Sequence, residues 1–141
     1  MAETVLSFPA RDFITAPLPI DHKPGDKYDF VVIGDDAFAA NLSKGRIVMA
    51  RIGEEREYDL HVINLPGARD LVRYTRKQSN GSLSVECARY PTEVYEQGEW
   101  EIVGAVVQFR GFAGGWWSWI PDGYFPNASW PLVDMGRQVK K

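Results

Sequence analysis

Cysteine is almost absent from this chain. Cys87 is the only one in 141 residues, so no disulfide can form within it, as expected of a reducing compartment. Histidine is nearly as scarce, with His22 and His61 alone. Neither stands at ligand spacing from the other or from Cys87, so no zinc or iron centre is expected. No run approaches the roughly 20 apolar residues of a membrane span. Met1 to Pro9 also lack the basic start and apolar stretch of a signal peptide. These absences predict a cytoplasmic protein that keeps clear of membranes. An excess of positive charge is missing too. Sixteen Lys and Arg against 19 Asp and Glu leave a net charge of −3, which argues against a surface devoted to nucleic acid. Neither a glycine-rich phosphate loop nor a dinucleotide fingerprint occurs, and no cofactor is expected.

What is present is an ordinary globular balance, 45% hydrophobic and 25% charged, with an aromatic share of 13%. Pro9, Pro17, Pro19 and Pro24 exclude a continuous helix through residues 1–27 and predict an extended N-terminal arm. The two amphipathic helices of a helix-turn-helix are absent, and with them the usual DNA-reading element. From Tyr28 onward the chain reads as strands: 28–33, 46–52, 58–65, 70–76, 82–87 and 99–110. Pro66-Gly67 and Asn80-Gly81 mark hairpin turns between them. Only Ala37 to Lys44 has the composition of a short helical turn. Short strands with turns every eight to twelve residues predict a mostly β domain, barrel-like or sandwich-like.

The aromatic excess is concentrated late. Trp116, Trp117, Trp119, Tyr124, Phe125 and Trp130 fall in a segment interrupted by Gly114, Gly115, Pro121, Gly123, Pro126 and Pro131. Such a segment cannot form a long regular element. It either covers an open face of the β domain or presents those six aromatics as a docking surface for a partner.

The order of the strand segments carries a resemblance. Phe30-Val-Val-Ile-Gly-Asp-Asp-Ala-Phe38 precedes Lys44-Gly-Arg-Ile-Val-Met-Ala-Arg51; later come Leu65-Pro-Gly-Ala-Arg-Asp-Leu-Val-Arg-Tyr74, Ser84-Val-Glu-Cys-Ala-Arg-Tyr-Pro91 and Glu101-Ile-Val-Gly-Ala-Val-Val107. In this order they resemble the self-cleaving serine–lysine peptidase fold of LexA, the phage repressors and the UmuD polymerase subunit. The resemblance runs from Tyr28 to about Phe112. It implies a twisted sheet or partial barrel of short strands, flanked by the arm 1–27 and an irregular aromatic extension, 113–141.

The departures concern the chemistry. The resemblance puts Asp36 at the nucleophile position and Arg73 at the general-base position. Aspartate has no hydroxyl to attack with, and arginine stays protonated at any working pH. The family's Ala-Gly or Cys-Gly cleavage bond is not found ahead of Asp36 either. The sequence therefore predicts a pseudo-peptidase, with Asp36 and Arg73 facing each other as an ion pair. A register shifted by one residue would instead implicate Asp35 and Arg69 or Tyr74.

Without that chemistry, the resemblance implies a regulatory module of a phage or mobile element, linked to transcription or the SOS response. It would act by contact with a repressor, an activator or a recombinase-type protein, and as a homodimer. Three alternatives stay open. One is a polymerase accessory subunit. Another is a peptidase with a relocated nucleophile, drawn from Ser43, Ser79, Ser82 or Ser84 with Lys44 or Lys77. The last is nucleic-acid binding through Arg69, Arg76, Lys77 and Arg89, with Arg73, Tyr74 and Tyr90 nearby. His61 and the acidic turn Glu54-Glu55-Arg56-Glu57 are expected to be a satisfied strand histidine and a solvated loop.

Overall fold

A computed structural model describes residues 5–8, 14–39, 42–111 and 115–119. Apart from a 3₁₀ turn at Leu42, their regular structure is strand. β1 (Val5–Phe8) and β2 (Ile14–Pro17) form a small antiparallel pair. The main sheet comprises β3 (Tyr28–Val32), β4 (Ile47–Ile52), β5 (Tyr58–Leu65), β6 (Ala68–Lys77), β7 (Leu83–Glu86), β8 (Glu93–Tyr95), β9 (Glu101–Arg110) and β10 (Trp116–Ser118). Their order is β3-β4-β9-β5-β6-β7-β8, with β10 added to β9. Every pairing is antiparallel and the sheet is not closed, so the architecture is mostly β, with an open, bulged sheet of short strands.

Turn chemistry sets the hairpins. Between β5 and β6, Pro66 and Gly67 join Leu65 to its partner Ala68, with Gly67 at φ 81°. Proline before a positive-φ glycine suits a type II turn. The ladder then shifts register, and Asp70 takes φ 56° while its amide donates to Asn64 Oδ1 at 2.9 Å. An aspartate tolerates that left-handed backbone because its short polar side chain carries little steric penalty. Between β6 and β7, Gly81 adopts φ 91° and Asn80 Oδ1 accepts from the Ser82 amide. Both turns lie at the dipeptides that mark them in the sequence.

Side chains of adjacent strand residues point to opposite faces, and both faces of this sheet are covered. On one face Val31, Val48, Ala50, Leu60, Val62, Val72, Tyr74, Val106 and Phe109 form the main core. The segment after β3 lies over it, contributing Ile33, Ala37, Phe38 and Leu42. That segment begins as bends, and the Leu42 amide donates to the Ala39 carbonyl at 3.1 Å in a single 3₁₀ turn, within the Ala37–Lys44 stretch where a short helical turn is expected. Residues 40–41 lie outside the described set. On the other face a small cluster of Phe30, Met49 and Val107 meets Ala16 from the N-terminal arm. Gln108 Nε2 donates to the Pro17 carbonyl beside it. A third cluster gathers Ile63, Leu65, Leu83 and Val85 under Trp100 and Tyr95.

One glycine is required by packing. A Cβ at Gly104 would collide with the Arg51 carbonyl of the neighbouring strand β4, whose Ile52 pairs with Gly104. Backbone has nowhere to retreat there, so only glycine fits.

Candidate functional site

The loop after β3 and the middle of β6 come together, and they do so one residue away from the expected register. Arg73 Nη2 donates to Asp35 Oδ2 at 2.8 Å and Nη1 to Oδ1 at 3.4 Å, a forked guanidinium–carboxylate pair. Asp36, the expected partner, is exposed. The reason is local: Asp35 turns its carboxylate back to accept the Ala37 amide at 3.3 Å. Ala37 and Phe38 are then buried in the main core, and the Ala37 carbonyl accepts the amides of Ala88 and Arg89. That anchored bend leaves Asp35 facing Arg73 and turns Asp36 outward.

β7 pairs with β6 from Tyr74 to Lys77. Arg73 lies one residue past the end of that ladder. Its guanidinium folds back so that Nη1 donates to the Val72 carbonyl at 2.9 Å, with the Tyr90 ring centroid 5.7 Å away. Arg73 is 8% exposed, while the Asp35 side chain keeps 30%. A half-open pair of this kind is held by several donors yet stays in reach of water.

A second polar cluster, unforeseen from the sequence, lies inside the sheet. Asp59 is fully buried on β5, and its carboxylate accepts the Leu60 amide at 2.7 Å, the Trp119 indole N–H at 2.8 Å and Arg56 Nη1 at 3.3 Å. Arg56 also donates to the Val106 carbonyl and to Glu54. Its backbone amide donates to His61 Nε2 at 2.9 Å. A backbone amide can only donate, so Nε2 must be the bare nitrogen and Nδ1 must carry the proton. Nδ1–H points at the Asp59 carbonyl (3.0 Å) and Thr75 Oγ1 (2.9 Å). Burial therefore holds His61 neutral and pulls its pKa down to about 4.

His61 is thus a satisfied strand histidine, as its alternating strand suggested. The acidic turn is the solvated loop expected of it only in part: Glu57 is exposed and Glu55 pairs with Lys77 at the surface, while Arg56 and Glu54 are half-buried and paired with each other. The usable signal was Asp59 and His61 two apart on one strand, and so on one face of β5, between the apolar Leu60 and Val62.

The remaining predicted residues are scattered. Trp119 is 3% exposed and sits in the main core. Trp116 and Trp117 are half-buried, Trp116 with its ring 5.7 Å from Phe30. Tyr124, Phe125 and Trp130 lie outside the described residues. Arg69 and Arg89 are exposed; Arg76 stacks 4.2 Å over Tyr58 and Lys77 is ion-paired to Glu55. Among the relocated-nucleophile candidates, Ser82 and Ser84 are buried, donating to Asn80 and Glu86. Ser43 is half-buried, while Lys44 and Ser79 are exposed. Among the described residues no three His, Cys, Asp or Glu converge as metal ligands, and no helix is long and apolar enough to cross a membrane.

No family model, curated protein or solved structure matches this chain.

Proposed function

We propose that this chain is a non-catalytic regulatory module resembling the LexA-type peptidase fold, belonging to a phage or mobile element and working by protein–protein contact. One observation carries the reading: the Asp35–Arg73 pair. The bend after β3 and the middle of β6 are where the resemblance puts nucleophile and base, and they lie against each other. What they present is a carboxylate and a guanidinium. A serine–lysine mechanism needs a hydroxyl and an amine able to lose its proton. Arginine supplies neither a proton sink nor an attacking atom, but it fixes a loop well.

The partners that fit are a repressor or activator of the same element and a second copy of the chain. The contact surface is sought among Trp116, Trp117 and the aromatics beyond residue 119, since Trp119 belongs to the core.

Two measurements test the reading. Purified protein held at alkaline pH is expected to stay a single intact species by mass spectrometry; discrete self-fragments would restore a peptidase. Co-expression with the element's own repressor and activator, read by a promoter reporter and by co-purification, is expected to show a complex and a changed output. Neither complex nor change would remove the regulatory role.

A further inference from the structure

β9 is served along one edge by two strands placed end to end. β5 pairs with its first half, from Glu101 to Ala105. β10 pairs with Gln108 to Arg110, and the Trp119 amide continues the ladder to the Val107 carbonyl at 2.9 Å. At the junction the Val106 carbonyl accepts Arg56 Nη1 at 3.2 Å. Beside this edge is the pocket that holds the Trp119 ring. Tyr74 and Phe109 wall it with ring centroids 6.2 Å away, and Asp59 accepts the indole N–H. A short strand on an edge, plus one aromatic in a pocket with a polar floor, is the chemistry by which sheets capture extended peptides.

We propose that the β9 edge and the Asp59-floored pocket form a receptor for a tryptophan-bearing strand, and that the Trp116–Trp119 segment of a second copy of this chain can fill it in place of the chain's own. The contacts are the same in both arrangements, so only the connection between β9 and β10 and the protein concentration set the balance. The closed hairpin is tightly built at its root. Gly111 N donates to Gly115 O at 2.7 Å, and a Cβ on Gly111 would lie 2.5 Å from Trp117 Nε1. An opened chain loses a donor to the buried Asp59 carboxylate and a ring from its core, so an empty receptor is costly and refills. At high concentration the segment that refills it comes from another copy. The inference does not depend on the proposed function.

The test uses full-length chains in a Cys87→Ala background, each carrying one new cysteine. One bears Gln108→Cys and the other Ser118→Cys, residues that face each other across β9 and β10. The two are mixed in urea, refolded together and oxidised gently. Because each chain has a single thiol, a covalent heterodimer reports exchange in trans. Its yield is expected to rise with protein concentration. It is expected to fall about tenfold when the Ser118→Cys chain also carries Trp119→Ala, the loss of an anchoring aromatic. Arg110→Cys with Trp116→Cys provides a second facing pair that leaves the Gln108 bond to Pro17 intact. A heterodimer yield no higher than that of the Trp119→Ala control, in both pairs, overturns the inference.

Discussion

Acid should unfold this protein earlier than its carboxylates alone require, and His61 is the reason. The ring is fully buried, accepts the Arg56 amide at Nε2 and donates from Nδ1 toward Asp59 and Thr75. A second proton would set N–H against N–H at Nε2 and place a charge beside Arg56. Its pKa is therefore lowered from 6.5 to about 4 by burial, and the unfolded chain takes up that proton first. For a group depressed in the fold, stability is complete above the unfolded value. It is lost as pH falls through 6.5 toward 4. At about 1.4 kcal/mol for each pH step within that window, the full loss is about 3 kcal/mol, with about 2 kcal/mol gone by pH 5. Urea unfolding from pH 8 to pH 4.5 in a His22→Gln background, which leaves His61 the sole histidine, measures this directly. The midpoint should fall with an unchanged m-value, and His61→Gln should flatten the profile between pH 6.5 and 5. Nitrogen-15 spectra should show the Nδ1–H tautomer at neutral pH. Equal losses in parent and His61→Gln, or a folded-state titration of His61 near 6.5, would refute the argument.

Other outcomes follow from the same contacts. Trp119→Ala removes a core ring and a donor to Asp59, and should cost about 3–5 kcal/mol by denaturant unfolding; Trp119→Phe, which keeps most of the ring, should cost about 1–3 kcal/mol. Gly104→Ala sets a methyl group against the Arg51 carbonyl, with an expected loss of about 1–3 kcal/mol or more; a neutral result would mean that β4 can move away. Asp35→Ala should loosen the bend holding Phe38 by about 1 kcal/mol, seen as faster amide exchange at Ala88 and Arg89. Tyr58, whose pKa is pushed up to about 12 by burial and by its hydrogen bond to Glu86, should stay un-ionised in an ultraviolet titration well past pH 10; Glu86→Gln should lower that midpoint.

Much of this architecture is written locally. Alternating and β-branched runs place β3 to β7 and β9 within a residue or two of their positions, and Pro66-Gly67 and Asn80-Gly81 mark their own turns. Three-residue strands such as β8 and β10 carry too few residues for a periodic signal, so their existence rests on a neighbour's open edge. The arm was legible as extended from its prolines, but its pairing as β1 with β2 depends on contacts between separated residues.

The candidate sites divide along the same line. Residue types alone say that Asp36 and Arg73 cannot perform serine–lysine chemistry, because a missing hydroxyl and a permanent charge are properties of single side chains. Which aspartate meets Arg73 was settled by the bend that buries Phe38 and turns Asp35 inward. The buried network is tertiary for the same reason: Arg56, Asp59, His61, Thr75 and Trp119 come from two strands, the loop before β5 and the residue after β10, and only the fold removes the water that would otherwise satisfy each of them separately. The single cysteine rules out a disulfide within the chain. The aromatic excess could not be interpreted until the sheet divided it, taking Trp119 into the core and leaving Trp116 and Trp117 half-covered. Composition counts side chains, but burial depends on which distant strands close over them.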